Sequence, residues 1–334
     1  MDDYTISAFD EARIIQRSYN SLETYVKSEM AKILRHIGDE DTLAYEYRMK
    51  RLAALLANTE KKCNELYGIT LNDTTEFLKS IIPEAYYQTI FDVAKGIGEQ
   101  PEFTALPTEA AVPTRLIDKI LNEDWSGENY SKRIWANTEE LAEELREVLT
   151  EAAISGESIN KTSKKIEEKF DQSSYNARRL IRTETTYACN QAEHAAYKEL
   201  GIDEYEYVAT LEEKTCKVCQ KLDGKIFETS QAQAGKNLPP LHPQCRCTTI
   251  AHFEKGNPTI RTARDKDGKR IKVPADMKYD EWYKKYIEPQ EQQKRSQKPP
   301  KAQPGTSVQV ELPASQGADS GYTEVKIPRR KKHE

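Results

Sequence analysis

Residues 216–247 open with Cys216-Lys-Val-Cys219-Gln-Lys-Leu-Asp223-Gly224-Lys-Ile-Phe227 and close with Pro239-Pro240-Leu-His242-Pro-Gln-Cys245-Arg-Cys247. Four of the chain's six cysteines and one of its five histidines fall in this stretch. Two thiolates separated by two residues can bind one tetrahedral ion from a tight knuckle, and a second pair brought back by a hairpin closes the coordination sphere. Zinc is the natural ion for such soft donors. Asp223-Gly224 reads as the turn of that hairpin, and Pro239-Pro240 stiffens the approach to the second half-site. Cys216, Cys219, His242, Cys245 and Cys247 are five candidate ligands for four positions, so the choice between Cys245 and Cys247 stays open. A disulfide knot would need an oxidising compartment, and the Met-Asp-Asp-Tyr start has neither the basic nor the apolar region of a leader. A zinc deaminase would need His-x-Glu and Pro-Cys-x-x-Cys, and neither is present.

The 334 residues can bury a sizeable core and suggest two domains. Hydrophobic residues make up 37% and charged residues 31%, a polar balance that suits long helices with a solvated tail. No apolar run approaches the roughly 18 residues of a membrane span, so no membrane partner is expected. The net charge is −5, yet residues 291–334 hold nine Lys/Arg against five Asp/Glu, which leaves an acidic body.

The expected fold is mainly α with a small α+β C-terminal domain. Residues 1–112 form an elongated helical region, 113–290 a Cys/His-braced hairpin domain, and 291–334 a disordered basic tail. Leu22, Val26, Met30, Ile33 and Ile37 make one helical stripe that Gly38 ends. A second helix is expected over 42–67 with Gly68 as its stop, and a third from Thr74 toward Ala94. Cys63 reads as a small core residue. Pro101, Pro107 and Pro113 predict a connection over 99–113. Asn137 with Glu140 resembles a capping box. Gly156 closes that helix, Ser158 opens the next, and a long helix from about Ser174 to Leu200 follows. This last helix contains Arg178, Arg182, Glu184, Cys189 and His194 among alanines. Arg182 is expected to meet a carboxylate across a helix interface, Glu184 to brace an adjoining loop, and His194 to lie at the surface or among partners. Tyr205, Tyr207 and Ala209 alternate as a strand, Asp267-Gly268 marks a turn, and Tyr279, Trp282, Tyr283 and Tyr286 mark a short docking helix.

The order Arg182-Thr-Glu184, Thr215-Cys216-Lys-Val-Cys219, Leu222-Asp-Gly224-Lys-Ile-Phe227 and Pro239-Pro-Leu-His242-Pro-Gln-Cys245-Arg-Cys247 resembles the phage Mu F-like minor head protein family. The resemblance covers about residues 137–252. It implies a head morphogenesis protein of a tailed bacteriophage or prophage, present in the virion after assembly in the host cytoplasm and associated with the portal protein. It implies no catalytic residues.

The leading functional expectation is therefore structural, with portal, capsid or scaffolding protein as partners. The basic run Arg329-Arg330-Lys331-Lys332 would give weak nonspecific DNA contact. The alternative is a small nucleic-acid-processing or transferase enzyme that gathers Arg182, Glu184 and His242 near the metal site, with His242 free to move protons. A regulatory zinc finger would need a basic recognition helix, and Lys214, Lys217, Lys221 and Lys225 are too thinly spread to form one.

Overall fold

The computed structural model describes residues 3–35, 42–96, 114–253 and 260–288, all within one compact unit, Met1–Gln290. It is mainly α with a small α+β part, as the sequence implies. The expected stop at Gly38, the Pro-rich connection and the basic tail lie outside the described residues.

Five helices come first: α1 (Asp3–Leu34), α2 (Thr42–Gly96), α3 (Thr114–Asn122), α4 (Tyr130–Ser155) and α5 (Ile159–Glu199). In α1, Ala8, Ala12, Ile15, Tyr19, Leu22, Val26, Met30 and Ile33 recur at helical spacing and are all buried. From Ile15 to Ile33 they join Leu141, Leu145 and Leu149 of α4 and Ile166 and Phe170 of α5 in one core. A second core lies further along the bundle. It joins Leu78, Ile82 and Tyr86 of α2 to Ile120 of α3, Ile134 of α4, and Ala188, Ala192 and Ala196 of α5. The helices of the N-terminal region therefore bury their apolar faces against helices of the region that follows.

The two helices expected over 42–67 and from Thr74 are one helix of 55 residues, about 80 Å at 1.5 Å per residue. The buried stripe explains why Gly68 does not stop it. Leu66, Thr70, Thr74 and Leu78 continue the inward face without a break, and that burial outweighs the roughly 1 kcal/mol glycine costs in a helix interior. Pro83 is likewise tolerated inside α2, flanked by buried Ile81, Ile82, Ala85 and Tyr86.

Asn137 caps nothing. Helix α4 starts seven residues earlier, with Asn129 as N-cap accepting from the Ser131 N–H at 2.9 Å. Asn137 instead donates to the Tyr19 hydroxyl and the Ser173 carbonyl, both at 3.0 Å, and so ties α4 to α1 and α5. Gly156 ends α4 at φ 68°, and Ser158 caps α5, as the sequence implies. The segments opened by Ser158 and Ser174 form one helix of 41 residues.

The rest is a three-stranded antiparallel sheet in the order β2 (Ile226–Glu228), β1 (Glu204–Val208), β3 (Thr248–Ala251), and a hairpin of β4 (Ile260–Arg264) and β5 (Arg270–Pro274). Between β1 and β2 lies the six-residue helix α6 (Lys217–Leu222), so Asp223-Gly224 ends a helix and does not join two strands. The expected turn at Asp267-Gly268 does join two: the Asp265 carboxylate accepts from the N–H groups of Asp267 and Lys269. A last helix, α7 (Tyr279–Trp282), continues into a π turn, Tyr283–Ile287. Trp282 is fully buried with Leu211, Ala263 and Val273, and its indole donates to the Arg264 carbonyl at 3.0 Å.

His194 differs from expectation. It is 5% exposed, and neither ring nitrogen has a hydrogen-bond partner among the described residues. Burial, then the charges of Lys198 and Lys119, lower its pKa to about 4; the nearest ring is Tyr205, edge-on. A histidine whose folded pKa is depressed contributes stability that is complete above its unfolded pKa of about 6.5 and is lost as the pH falls toward 4. Denaturant unfolding at stepped pH is expected to lose up to about 3 kcal/mol across that window through this group. His194→Gln should lack that part of the slope. Parallel profiles for wild type and variant would refute the assignment.

Candidate metal centre

The first thiol pair sits at the start of α6. Cys216 is its N-cap, and its Sγ accepts from the Cys219 N–H at 3.4 Å. Almost a full turn of helix brings Cys219 under β1, where it is 1% exposed and accepts from the Tyr207 hydroxyl at 3.3 Å. The second pair sits on a tight turn in which the Cys245 N–H donates to the His242 carbonyl at 3.1 Å. Gln244 occupies a left-handed conformation, φ 61°, to close that turn.

The structure brings all five predicted donors together, in two overlapping groups. Cys216, Cys219 and His242 have their ligand atoms within 4.8 Å of one another, and so do Cys219, Cys245 and Cys247. Cys219 belongs to both, 3.4 Å from His242 Nε2 and 3.9 Å from the Cys245 sulfur. None of the cysteines is in a disulfide. His242 Nδ1 lies 2.9 Å from the Pro243 carbonyl. That oxygen can only accept, so Nδ1 carries a proton, and Nε2 is the nitrogen that faces the thiols.

Hydrogen bonds from Cys219 and Cys247, opposed by burial and helped by His242, hold the Cys245 thiol far below its ordinary value. Hydrogen bonding to Cys245 and Cys247, with burial, pushes Cys219 up. The Cys245 partner raises His242 to about 9. At Cys216 burial works upward, but the Cys219 N–H outweighs it with other donors and the net shift is down. Negative charge thus collects on one sulfur ringed by donors, as expected where soft ligands converge with Tyr207 and Ala209 as apolar walls. The Cys/His cluster can hold a metal ion. Cys63 stands apart as a core residue, 2% exposed and pushed to about 12 by burial.

Two threonines absent from the sequence-derived site fasten it to α5. Thr183 Oγ1 accepts from the Gln244 N–H at 3.0 Å, and Thr186 Oγ1 donates to the Cys245 carbonyl at 2.8 Å. Asp223, read from the sequence only as a turn residue, is a second fastening. Its carboxylate is 1% exposed, pairs with Arg261 at 3.0 Å, and accepts from the N–H groups of Ala209 and Tyr279. It ties the end of α6 to β1, β4 and α7. At Gly224, φ 73°, a Cβ would fall 1.8 Å from the Lys278 ammonium, so glycine serves both the turn and this close approach.

Arg182, Glu184 and His242 do not converge. The Glu184 oxygens accept from the Trp125 indole and the Arg133 guanidinium, both at 3.0 Å. Glu184 thus braces the loop before α4, as expected. Burial, opposed by those two partners, raises its pKa. Arg182 finds no carboxylate among the described residues; its guanidinium lies over the Phe9 ring, 4.1 Å from the centroid.

Residues 143–250, from within α4 to β3, match the protein family described as Phage Mu protein F like protein. The NAD(+)–arginine ADP-ribosyltransferase EFV of Enterococcus faecalis is 28% identical over 181 residues, 50% of this chain. The chain spans 36% of that relative's length. No solved structure matches.

The Thr186 bond is expected to be necessary for the geometry of the second pair. Thr186→Val removes the donor and keeps the shape, and should cost about 1–2 kcal/mol in denaturant unfolding, because the Cys245 carbonyl loses its partner. An unchanged unfolding midpoint would show that the turn holds itself.

Proposed function

We propose that this chain is a structural minor head protein of a tailed bacteriophage or prophage, associated with the portal and acting in head morphogenesis. The single observation that supports the reading best is the Mu F-like match across 143–250, which includes both thiol pairs and the whole of α5. The site's chemistry agrees with a structural role. Glu184 is already engaged by Trp125 and Arg133, and His242 faces thiols and a carbonyl. No helix among the described residues is long and apolar enough to cross a membrane. The virion is the proposed location, after assembly in the host cytoplasm, with capsid or scaffolding protein as further partners and DNA packaging or ejection as the wider process.

We further infer that the ion is zinc, held by Cys216, Cys219, His242 and Cys245. Of the second pair, the Cys245 sulfur lies 3.9 Å from that of Cys219 and is the group that acts most strongly on His242, whereas the interactions of Cys247 are with Cys219, Cys245 and Tyr207. Four protein ligands leave no open position for water, which makes the ion a brace between α6 and the second turn. Elemental analysis of chelator-free protein is expected to give about one zinc per chain. Cys216→Ser and Cys245→Ser should lose it and melt lower, and Cys247→Ser should keep it. Metal-free wild type, or melting indifferent to chelation, would overturn the site.

The relative from Enterococcus faecalis supports a second reading, transfer of ADP-ribose to arginine. One pair of measurements separates the two. Quantitative mass spectrometry is expected to find the chain in purified virions in few copies per particle, and immobilised portal protein should retain the full chain at physiological salt. Labelled NAD(+) with an arginine acceptor should give no transfer. Absence from virions with no portal retention would remove the head-protein reading, and transfer above background would install the other.

A further inference from the structure

A cavity of about 210 Å³ opens between the end of β1, the second thiol turn and the β4–β5 hairpin. Four arginines and one acid line it: Arg246, Arg261, Arg264, Arg270 and Glu212. Arg261 is committed elsewhere, since it pairs with buried Asp223 and donates to the Ala209 carbonyl. Glu212, its side chain 8% exposed, pairs with both Arg246 and Arg264, the second at 3.6 Å. Arg270 has no carboxylate partner among the described residues. One carboxylate therefore meets three guanidinium groups, and two positive charges stay unbalanced in a protein whose overall charge is −5.

The hairpin presses two of these charges together. Arg264 and Arg270 are direct cross-strand partners, so both side chains leave the same face. The Arg264 N–H donates to the Leu211 carbonyl, and the Arg264 carbonyl accepts from the Trp282 indole. Both backbone groups point away from β5, which makes this the non-hydrogen-bonded kind of pair, with the closer side chains, and like charges so placed are destabilising. Solvent reaches all three groups: the Arg246 and Arg264 side chains are 28% and 26% exposed, and Arg270 is exposed. An anion seated among them would offset the repulsion. A carboxylate brings one charge and two oxygens, enough for one guanidinium fork. A phosphoryl dianion brings two charges and at least three oxygens, which matches three guanidinium groups with an excess of two charges.

We propose that this cavity is a phosphate-binding site, in which Arg246, Arg264 and Arg270 hold a phosphoryl dianion and Glu212 positions the first two. Bound there, the dianion joins the β4–β5 hairpin to the turn that carries Cys245 and Cys247. The site goes beyond the head-protein reading and does not rest on it. A free phosphate ion and a phosphate monoester present this chemistry, whereas a phosphodiester, with one charge, does not.

Calorimetric titration of the full chain with inorganic phosphate, methyl phosphate and dimethyl phosphate tests it, at fixed ionic strength and about pH 8, well above the second ionisation of a monoester near pH 6. Inorganic phosphate should bind, and dimethyl phosphate should bind at least about tenfold more weakly. Methyl phosphate bound as tightly as the free ion supports the site with a monoester as ligand, and methyl phosphate bound as weakly as the diester supports it with the free ion. Arg270→Gln, at an exposed position, should weaken phosphate about tenfold, the loss of one charge-assisted contact. Without phosphate that variant should melt no lower than wild type, because the like-charge pair is gone. Lys272→Gln, on the same face of β5 but outside the cavity, should change binding less than about twofold. No phosphate binding, equal affinity for dimethyl phosphate, or equal weakening by both substitutions would overturn the site, the last by showing diffuse attraction to a basic surface.

Discussion

The seam between α5 and the turn that carries His242, Cys245 and Cys247 is the constraint on which the rest of the small domain depends. That turn has no disulfide, and Thr183 and Thr186 bond its backbone from one face of a buried helix while Cys245 and Cys247 pack with Tyr207 and Ala209. Backbone groups held by side chains on a rigid helix are placed far more exactly than by a free loop. Once the turn is fixed, β3 follows directly from Cys247, pairs with β1, and sets Tyr207 and Cys219 against the second thiol pair. The first pair arrives from the other side, on a helix whose end Asp223 and Arg261 lock. Each pair is thus positioned by contacts outside the cluster, and an ion would join two anchored halves.

The same helix explains why the N-terminal region is no detachable arm. The first half of α5 buries Ile166, Phe170 and Ala177 against α1, α2 and α4, and its second half buries Ala188 and Ala192 against α2 and α3. The Mu F-like segment begins inside α4, so the apolar faces of its two helices would be open to water without α1 and α2. A contiguous exposed face of that size is not tolerated in a soluble domain. Any partner of this region therefore meets the outer surface of the assembled bundle, because the inner faces of α1 and α2 are already used.

Much of this was legible in the sequence, and what was missed has physical causes. The five metal-ligand candidates, the closing Gly156 and the Asp267-Gly268 turn were all visible, because each signal is local: a spacing, or a residue that alone suits a backbone angle. The continuity of α2 was not visible, because the local cost at Gly68 and Pro83 is outweighed by burial against residues far along the chain. Asn137 looked like a cap since its pattern fits one, but tertiary hydrogen bonds to Tyr19 and Ser173 use it instead. Thr183 and Thr186 could have been suspected from a run of threonines on a helix otherwise lined with alanines, since buried hydroxyls need partners. Their partners, the Gln244 N–H and the Cys245 carbonyl, lie about sixty residues away, and nothing local points there.

The polarity of α5 also separates brace from catalyst. Positions 183 and 186 face the thiol turn while 184, roughly 160–200° from 186 around a 3.6-residue helix, faces Trp125 and Arg133. A carboxylate that worked with the metal-side histidine would have to lie on the threonine face. The helix period forbids that for Glu184 as long as Thr186 holds Cys245, so the motif Arg182-Thr183-Glu184 divides its work between two sides of one rod. The threonine aligns the thiol turn, the glutamate braces the loop that leads into α4, and the guanidinium of the arginine lies over Phe9. Residues that sit side by side in sequence are thereby assigned to three different surroundings, which is the arrangement of a scaffold held at several points.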